Sequence, residues 1–270
     1  MAGLDTPEVP ADIFMELASE TRCSMLLMLD EQPRRANELA KKLNLTVQEA
    51  HRNTTRLLEA GIIEKSSDGL FALTEYGRII MTQISCFQFL KTHRQFFKDH
   101  TLGDIPAKFI QRIGALENCK VISGVTAIFE KLKKLESGAN ENLKIMVSQA
   151  WPEEGRILVD RATHGIKVRA LVGRNTVFPK EVVESVVKEI QALPSKADLE
   201  NRMVDKVSVA LYLADNQSGV MFANSKGDVD MGTLFVSDDP VFNEWCFDLF
   251  SYTWEHSKPF DVYKTKIVES

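Results

Sequence analysis

Apolar positions recur at helical spacing through roughly the first hundred residues and alternate differently in the C-terminal part of the chain. Residues 1–10, with two prolines and little apolar content, read as a frayed lead-in. In residues 11–31, Ile13, Phe14, Leu17, Ala18, Cys23, Leu26, Leu27 and Leu29 fall near a 3.6-residue period. That predicts one long helix, or two broken near positions 19–21, stopped by Pro33. Ala36, Leu39, Ala40 and Leu43 then stand at i, i+3, i+4 and i+7, and Asn44 and Leu45 make a turn. Thr46 and Glu49 form T-x-x-E, a capping box that satisfies two orphan amide donors at a helix start. That helix is expected to reach about Ala60, where Gly61 stops it. A short run at 62–64, a Ser-Ser-Asp-Gly turn at 66–69 and a run at 70–73 read as a hairpin. Helix, tight turn, second helix and hairpin make a winged helix-turn-helix, whose second helix suits the major groove of DNA.

Residues 74–100 continue as helix, with Tyr76, Ile80, Ile84, Phe87, Leu90 and Phe97 at helical spacing, and 102–106 breaks the pattern. Beyond it, 143–148 (LKIMVS) and 168–172 (VRALV) read as strands flanking a helix at 153–164 that Gly165 ends. Strand–helix–strand order favours a parallel pair with a right-handed crossover. An amphipathic helix is expected at 182–193, a strand pair at 207–214 and 219–223, and a further strand at 232–236. A closing helix at 240–256 carries Phe242, Trp245, Cys246, Leu249, Phe250 and Trp254 on its apolar face. The expected fold is α+β. A winged helix-turn-helix domain (11–76) leads through a helical linker or dimerisation segment (77–113) to an α/β regulatory domain with a mixed sheet (114–270).

Projected at 100° per residue, the helix at 46–60 turns Val47, Ala50, Thr54, Leu57 and Leu58 toward a core. Gln48, His51, Arg52, Thr55 and Arg56 project away from it, and Thr46 starts it. Arg can chelate guanine, Gln can chelate adenine, and Thr can meet a thymine methyl or a phosphate. Lys65, Ser66 and Ser67 at the hairpin tip suit contact with the DNA backbone.

The net charge of −5 sets the chain apart from strongly basic DNA-binding domains. Charge is uneven, however. Between positions 33 and 56, Arg34, Arg35, Lys41, Lys42, Arg52 and Arg56 face only Glu38 and Glu49, and phosphates respond to local charge. An apolar share of 44% with 26% charged residues places 270 residues among ordinary globular chains, enough for two modest domains. The four cysteines lie far apart without ligand spacing and are expected as buried free thiols. With no basic segment followed by an apolar core at the start, and no apolar stretch of membrane length, a cytoplasmic location is expected.

The pattern N-L-T-x-x-E-x-x-R-x-x-x-x-L-x-x-A-G-I-I-E at 44–64, followed by the hairpin and L-T-E-Y-G, resembles archaeal winged-helix regulators of the ArsR-like superfamily. F-F-K-D-H-T-L-G-D-I-P at 96–106 and D-D-P-V-F-N-E-W-C-F-D-L-F-S-Y-T-W-E at 238–255 are similar to one subgroup, the Fil-type methanogenesis regulatory proteins of methanogenic archaea. The resemblance implies a dimeric transcription regulator with a C-terminal regulatory domain.

Chemistry that would point elsewhere is sparse. Metal-sensing relatives carry cysteines in the helix before the recognition helix, and residues 36–43 have none. His93 and His100, seven apart with Asp99 nearby, lack a third ligand for zinc, so neither a metal nor a cofactor is expected. Residues 161–172 look like the strand entry of phospholipase D-like domains, whose catalysis needs H-x-K-x4-D; His164 and Lys167 stand one residue too far apart. The expected C-terminal fold is therefore phospholipase D-like and catalytically inactive. Its old cleft could survive as a ligand site near Ser148, Trp151, Arg169, Arg174 and Asn224. There is no G-x-x-x-x-G-K-[ST] and no G-x-S-x-G.

The leading expectation is a non-enzymatic, sequence-specific DNA-binding regulator. Its partners would be double-stranded DNA, a second copy of itself, and a small-molecule effector or the transcription machinery. Two alternatives stand beside it: a winged-helix protein-interaction scaffold, favoured by the negative net charge, and a phosphodiesterase-like enzyme with a DNA-binding tail.

Overall fold

A computed structural model describes residues 11–149, 152–180, 198–261 and 264–268. The chain divides into two compact units, one ending at Phe87 and the other beginning at Gln88.

The first unit opens with two helices rather than one, α1 (Ala11–Leu17) and α2 (Glu20–Glu31). The break follows from Ser19, which takes extended angles and accepts the Arg22 N–H at its hydroxyl as an N-cap. α3 (Ala36–Lys42) and α4 (Val47–Glu59) are joined by a turn in which Asn44 adopts a φ of 53°, a left-handed conformation Asn tolerates better than most residues. The capping box at α4 is present: Thr46 accepts from the Glu49 N–H at 3.2 Å, and the Glu49 carboxylate accepts from the Thr46 N–H at 2.8 Å. β1 (Ile63–Lys65) and β2 (Phe71–Leu73) pair antiparallel as the hairpin, and Arg34 adds one backbone bridge to Phe71. Met25, Leu26, Leu39, Leu57, Ile62 and Phe71 form the core beneath.

α5 (Glu75–Thr92) starts against the hairpin base. The Thr74 hydroxyl donates to the Gly61 carbonyl at 2.7 Å and accepts the Gly77 N–H at 3.0 Å. A Cβ at position 77 would lie 2.1 Å from the Ile62 carbonyl oxygen, so the L-T-E-Y-G segment needs its glycine for close approach.

The second unit is α/β, and the boundary falls earlier than the expected break at 102–106. The part of the expected linker beyond Gln88 packs within this unit: Phe96 sits edge-on to Phe235, Phe89 lies tilted against the same ring, and Phe97 lies against Phe222. A 3-10 turn at Phe96–Lys98 leads to β3 (His100–Thr101) and the short α6 (Ala107–Ile110). Gly103, at a φ of +60°, is another forced glycine, since a Cβ would meet Ser208 Oγ at 2.6 Å. β4 (Lys120–Ser123), α7 (Val125–Ser137), β5 (Asn142–Gln149), α8 (Pro152–Thr163) and β6 (Lys167–Pro179) follow. Then come β7 (Leu199–Val204), β8 (Ala210–Ala214), β9 (Gln217–Met221), β10 (Ala223–Asn224), β11 (Thr233–Ser237), α9 (Pro240–Glu255), β12 (Lys258–Pro259) and β13 (Lys266–Val268).

Among the described residues, nine strands make one mixed sheet, ordered β12-β7-β6-β5-β8-β9-β11-β4 with β13 also beside β6. β5 and β6 are parallel, as the strand–helix–strand order predicts, with Leu143 opposite Val168. β7 continues the parallel set. The other half, β8, β9, β11 and β4, is antiparallel. The helix expected at 182–193 lies outside the described residues.

Alternation in β8 sends Tyr212 toward α8 and Leu213 toward α9, so helices cover both faces. α9 begins where Asp239 caps the Val241 and Phe242 N–H groups, with Pro240 in its first turn. Trp245, fully buried, donates its indole N–H to the Phe109 carbonyl at 3.0 Å. Cys246 is buried, whereas Cys23, Cys86 and Cys119 are half-buried, shallower than expected of core thiols. Among the described residues no helix is long and apolar enough to cross a membrane.

Candidate nucleic-acid interface

α4 owes its position to a buried polar cluster. Arg22, 8% exposed, donates from Nη2 to the Met15 carbonyl at 2.8 Å and from Nε to the Glu16 carbonyl at 3.0 Å. Its Nε also lies 2.8 Å from the Glu16 carboxylate, and Nη1 reaches Asn53 at 3.5 Å. Asn53 in turn donates to the Glu49 carbonyl at 2.9 Å. Glu16 pairs with Arg56 as well, so one carboxylate ties α1 to α2 and to the far end of α4. Arg22, Glu16 and Asn53 escaped the sequence reading. Glu16 falls in phase with the apolar positions Ile13 and Leu17, which is the available signal.

The outward face of α4 is close to the projection, with two corrections. Gln48, His51 and Arg52 are exposed, Thr46 is exposed at the cap, and Thr55 is half-buried. Arg56 is exposed but held by Glu16, which raises its already high pKa through a hydrogen bond and through charge. Val47, expected in the core, is 74% exposed, while Asn53 occupies a core place instead. The wheel fixes an angle but not how far the core extends along the axis, and the first turn of α4 projects beyond it.

Of the six basic residues at 34–56, Arg34 is buried and paired with Glu31 at 2.7 Å, and Arg56 is paired with Glu16. Arg35, Lys41, Lys42 and Arg52 remain as exposed positive charge around the turn and α4. At the hairpin tip Lys65, Ser66 and Ser67 are all exposed. Ser66 is committed to the turn, accepting the Leu70 N–H and donating to Asp68, and that bond holds the Asp68 carboxyl below its ordinary range.

The candidate ligand residues of the second unit do not converge. Ser148 lies near the C-terminal end of β5. Arg169 sits opposite Lys144, toward the other end of that strand, where Asp198 at 2.6 Å and Glu200 occupy its guanidinium. Arg174 is exposed and 3.4 Å from Asp205. Asn224 belongs to β10, paired with β3 outside the main sheet. Trp151 lies outside the described residues.

The two linker histidines part company. His93 lies 3.8 Å from the Cys119 sulfur, and His100 stacks on Phe96 while contacting Asp230 at 3.0 Å. Among the described residues no group of three or more His, Cys, Asp or Glu side chains could hold a metal. The chain does contain one H-x-K triplet, His256-Ser257-Lys258, away from the segment that resembles the phospholipase entry. Position 263, where the motif requires Asp, is Tyr, and His256 Nδ1 is bonded to the Tyr252 carbonyl at 2.7 Å.

The sequence model of the HVO_A0261 N-terminal domain family matches residues 10–94. No curated protein matches the chain. Among solved structures, similarity extends to TrmBL2, an archaeal chromatin protein whose structure shows a novel mode of DNA binding. That likeness has 13% identity and a TM-score of 0.42 over 87% of this chain and 92% of that one. NucT from Helicobacter pylori is 16% identical with a TM-score of 0.42 over 53% of this chain and 99% of that one. HmgR from Pseudomonas aeruginosa is 11% identical with a TM-score of 0.25, covering 91% and 96% of the two chains. At such TM-scores the functional reading rests on the side chains described above, within an N-terminal segment matching the HVO_A0261 N-terminal domain family.

Proposed function

We propose that the first unit binds double-stranded DNA and that the protein is a sequence-specific transcription regulator. The observation that carries this reading is α4 itself. A capped helix, held by the Glu16–Arg56 ion pair and the buried Arg22–Asn53 hydrogen bond, presents Val47, Gln48, His51 and Arg52 to solvent from its first turns. Recognition helices read base edges from their N-terminal residues. Arg52 and Gln48, four apart and on one face, suit guanine and adenine, and the exposed Val47 methyls suit a thymine methyl. Arg35, Lys41 and Lys42 would meet flanking phosphates and Lys65 the backbone beside the hairpin.

A homodimer fits the rest. α5 leaves Tyr76, Ile79 and Phe87 of the first unit exposed, at 44%, 59% and 57%, as apolar surface that a second copy would cover. The motifs at 44–64, 96–106 and 238–255 support the ArsR-like, Fil-type reading. In it the second unit is a regulatory, non-enzymatic domain on a phospholipase D-like frame.

Fluorescence anisotropy on genomic operator fragments, selected by footprinting, tests the proposal. Arg52→Ala is expected to weaken specific binding by about 1–3 kcal/mol and to relax preference at one base position. Affinity should fall steeply with salt, and the footprint should hold two half-sites about one helical turn apart. Unchanged affinity and specificity in Arg52→Ala would remove Arg52 as a base contact, and the same result in Gln48→Ala and Val47→Ala as well would remove α4 as the reading element.

A further inference from the structure

Between α7 and α8, on the face of the sheet opposite α9, lies a cavity of about 470 Å³. Thr126, Phe129, Leu132 and Ile157 form its walls, and two carboxyls, Glu136 and Glu154, line its depth. Both are nearly without solvent exposure, at 2% and 3%. The Tyr212 hydroxyl, buried on β8, hydrogen-bonds to Glu154. Each carboxyl still has one oxygen, Oε1, with no hydrogen-bond partner among the described residues. Glu130, Lys133 and Glu153 stand at the rim, where Lys133 pairs with Glu153 at 3.1 Å and stays outside.

We propose that this cavity is a binding site for a small organic cation, a protonated amine with a compact apolar body, held between the Glu136 and Glu154 carboxylates. Two buried acids with unsatisfied oxygens cost several kcal/mol if nothing meets them. A proton shared between them would join two of their oxygens but leave the cavity beside them unfilled. An ammonium supplies up to three donors and the compensating charge in one group. The walls are apolar, which suits an alkyl or aryl body and disfavours a hydrated divalent ion, whose six to eight oxygen ligands are not provided. At the mouth Glu153 is paired with Lys133, and Glu130 adds one further negative charge that favours a cation there.

Burial raises Glu136 to about 8, and burial together with the charge of Glu136 lifts Glu154 well above the ordinary carboxyl range. Tyr212 is pushed up as well, so it stays a donor. Burial therefore favours the protonated form of both carboxyls in the empty protein. Binding a cation must expel a proton, and affinity must rise with pH. The other charged groups facing the cavity, Glu130 and Lys133 on α7 and Glu153 on α8, are exposed at the rim.

The test is calorimetric titration of the full-length chain with benzylamine, n-butylamine, cyclohexylamine and 1,4-diaminobutane, with benzyl alcohol as the uncharged match. At least one amine should bind at pH 8 and bind about tenfold or more weakly at pH 6, with proton release seen as a dependence on buffer ionisation heat. Glu136→Gln and Glu154→Gln should each lower that affinity about tenfold or more while keeping a cooperative thermal melt, since each neutral amide replaces an already protonated acid. Benzyl alcohol binding as tightly as benzylamine would overturn the proposal. So would equal amine affinity in wild type and both variants, or binding of none of the four amines. Stabilisation by Ca²⁺ or Mg²⁺ that both variants abolish, without any amine effect, would overturn it in favour of a metal.

Discussion

In the first unit the buried guanidinium of Arg22 meets the carboxylate of Glu16, two carbonyls and Asn53, while in the second unit the buried carboxyls of Glu136 and Glu154 meet each other and one phenol. Both clusters sit between helices, and both take ionisable groups out of water. They differ in whether opposite charge is supplied internally: Glu16 Oε2 also lacks a hydrogen bond, but the Arg22 guanidinium stands 2.8 Å from it. Where it is, the cluster joins three helices and fixes the aim of α4. Where it is not, the fold has left two oxygens open at the end of a cavity. Buried charge that is internally paired positions structure, and buried acid that is unpaired faces a space for something else.

The sharpest way to break that contrast is to remove the internal partner from the first cluster. Arg22→Ala leaves Glu16 buried, with only the half-exposed Arg56 to answer it. Removing one member of a buried pair costs about 3–5 kcal/mol. Urea denaturation of the full chain should show that loss in the transition of the first unit, and hydrogen exchange should rise across α1, α2 and α4. DNA affinity should fall with it, although Arg22 touches no base. A loss under about 1 kcal/mol would mean that the apolar core alone positions α4.

The second cluster should respond in the opposite sense and through pH. Glu136 has a folded pKa of about 8 against an ordinary value near 4.5, so the folded protein holds a proton that the unfolded chain releases. Its stability contribution is complete below about pH 4.5 and is lost as pH rises through about 8, at up to about 1.4 kcal/mol per unit. Glu154 pushes the same way. Thermal melts between pH 5 and 8 should therefore show the second unit weakening as pH rises. Glu136→Gln should flatten that slope and be the more stable protein at pH 8. Parallel profiles for wild type and Glu136→Gln would show that Glu136 ionises freely, and the contrast between the clusters would fail.

Neither cluster was read from the sequence, and the reason is the same for both. Arg56 finds its partner 40 residues away at Glu16, and Tyr212 meets acids from two helices placed far earlier in the chain. Periodicity reports faces and not partners. What it could show was local. The Thr46–Glu49 box, the hairpin turn at 66–69 and the parallel β5–β6 pair all depend on residues close in sequence or on chain connectivity. β7 was missed because LENRMV places charged and amide side chains where a buried parallel strand usually shows an apolar run. Strand order beyond β5–β6 is a tertiary result with no local mark. In α4, Val47 is exposed against expectation and Asn53 is buried, because burial depends on the neighbouring helices as well as on angle.

The smallest expected effect separates holding α4 from using it. Thr46 caps the helix and also stands exposed at the end that would enter the groove, so loss of binding in Thr46→Ala alone could come from either role. Removing the cap should cost about 1 kcal/mol. Glu49 sharpens the assignment, because its bonds to the Thr46 backbone and hydroxyl lower its pKa. A lowered carboxyl contributes stability above its unfolded pKa and loses it as pH falls through the folded value. The difference between wild type and Thr46→Ala should therefore shrink in acid. Thr46→Ser keeps the hydroxyl and the box but removes the methyl. If Ser restores stability and full DNA affinity, Thr46 serves the helix. If Ser restores stability while affinity at one A·T position stays low, the methyl meets a thymine, and the exposed first turn of α4 is itself a reading surface.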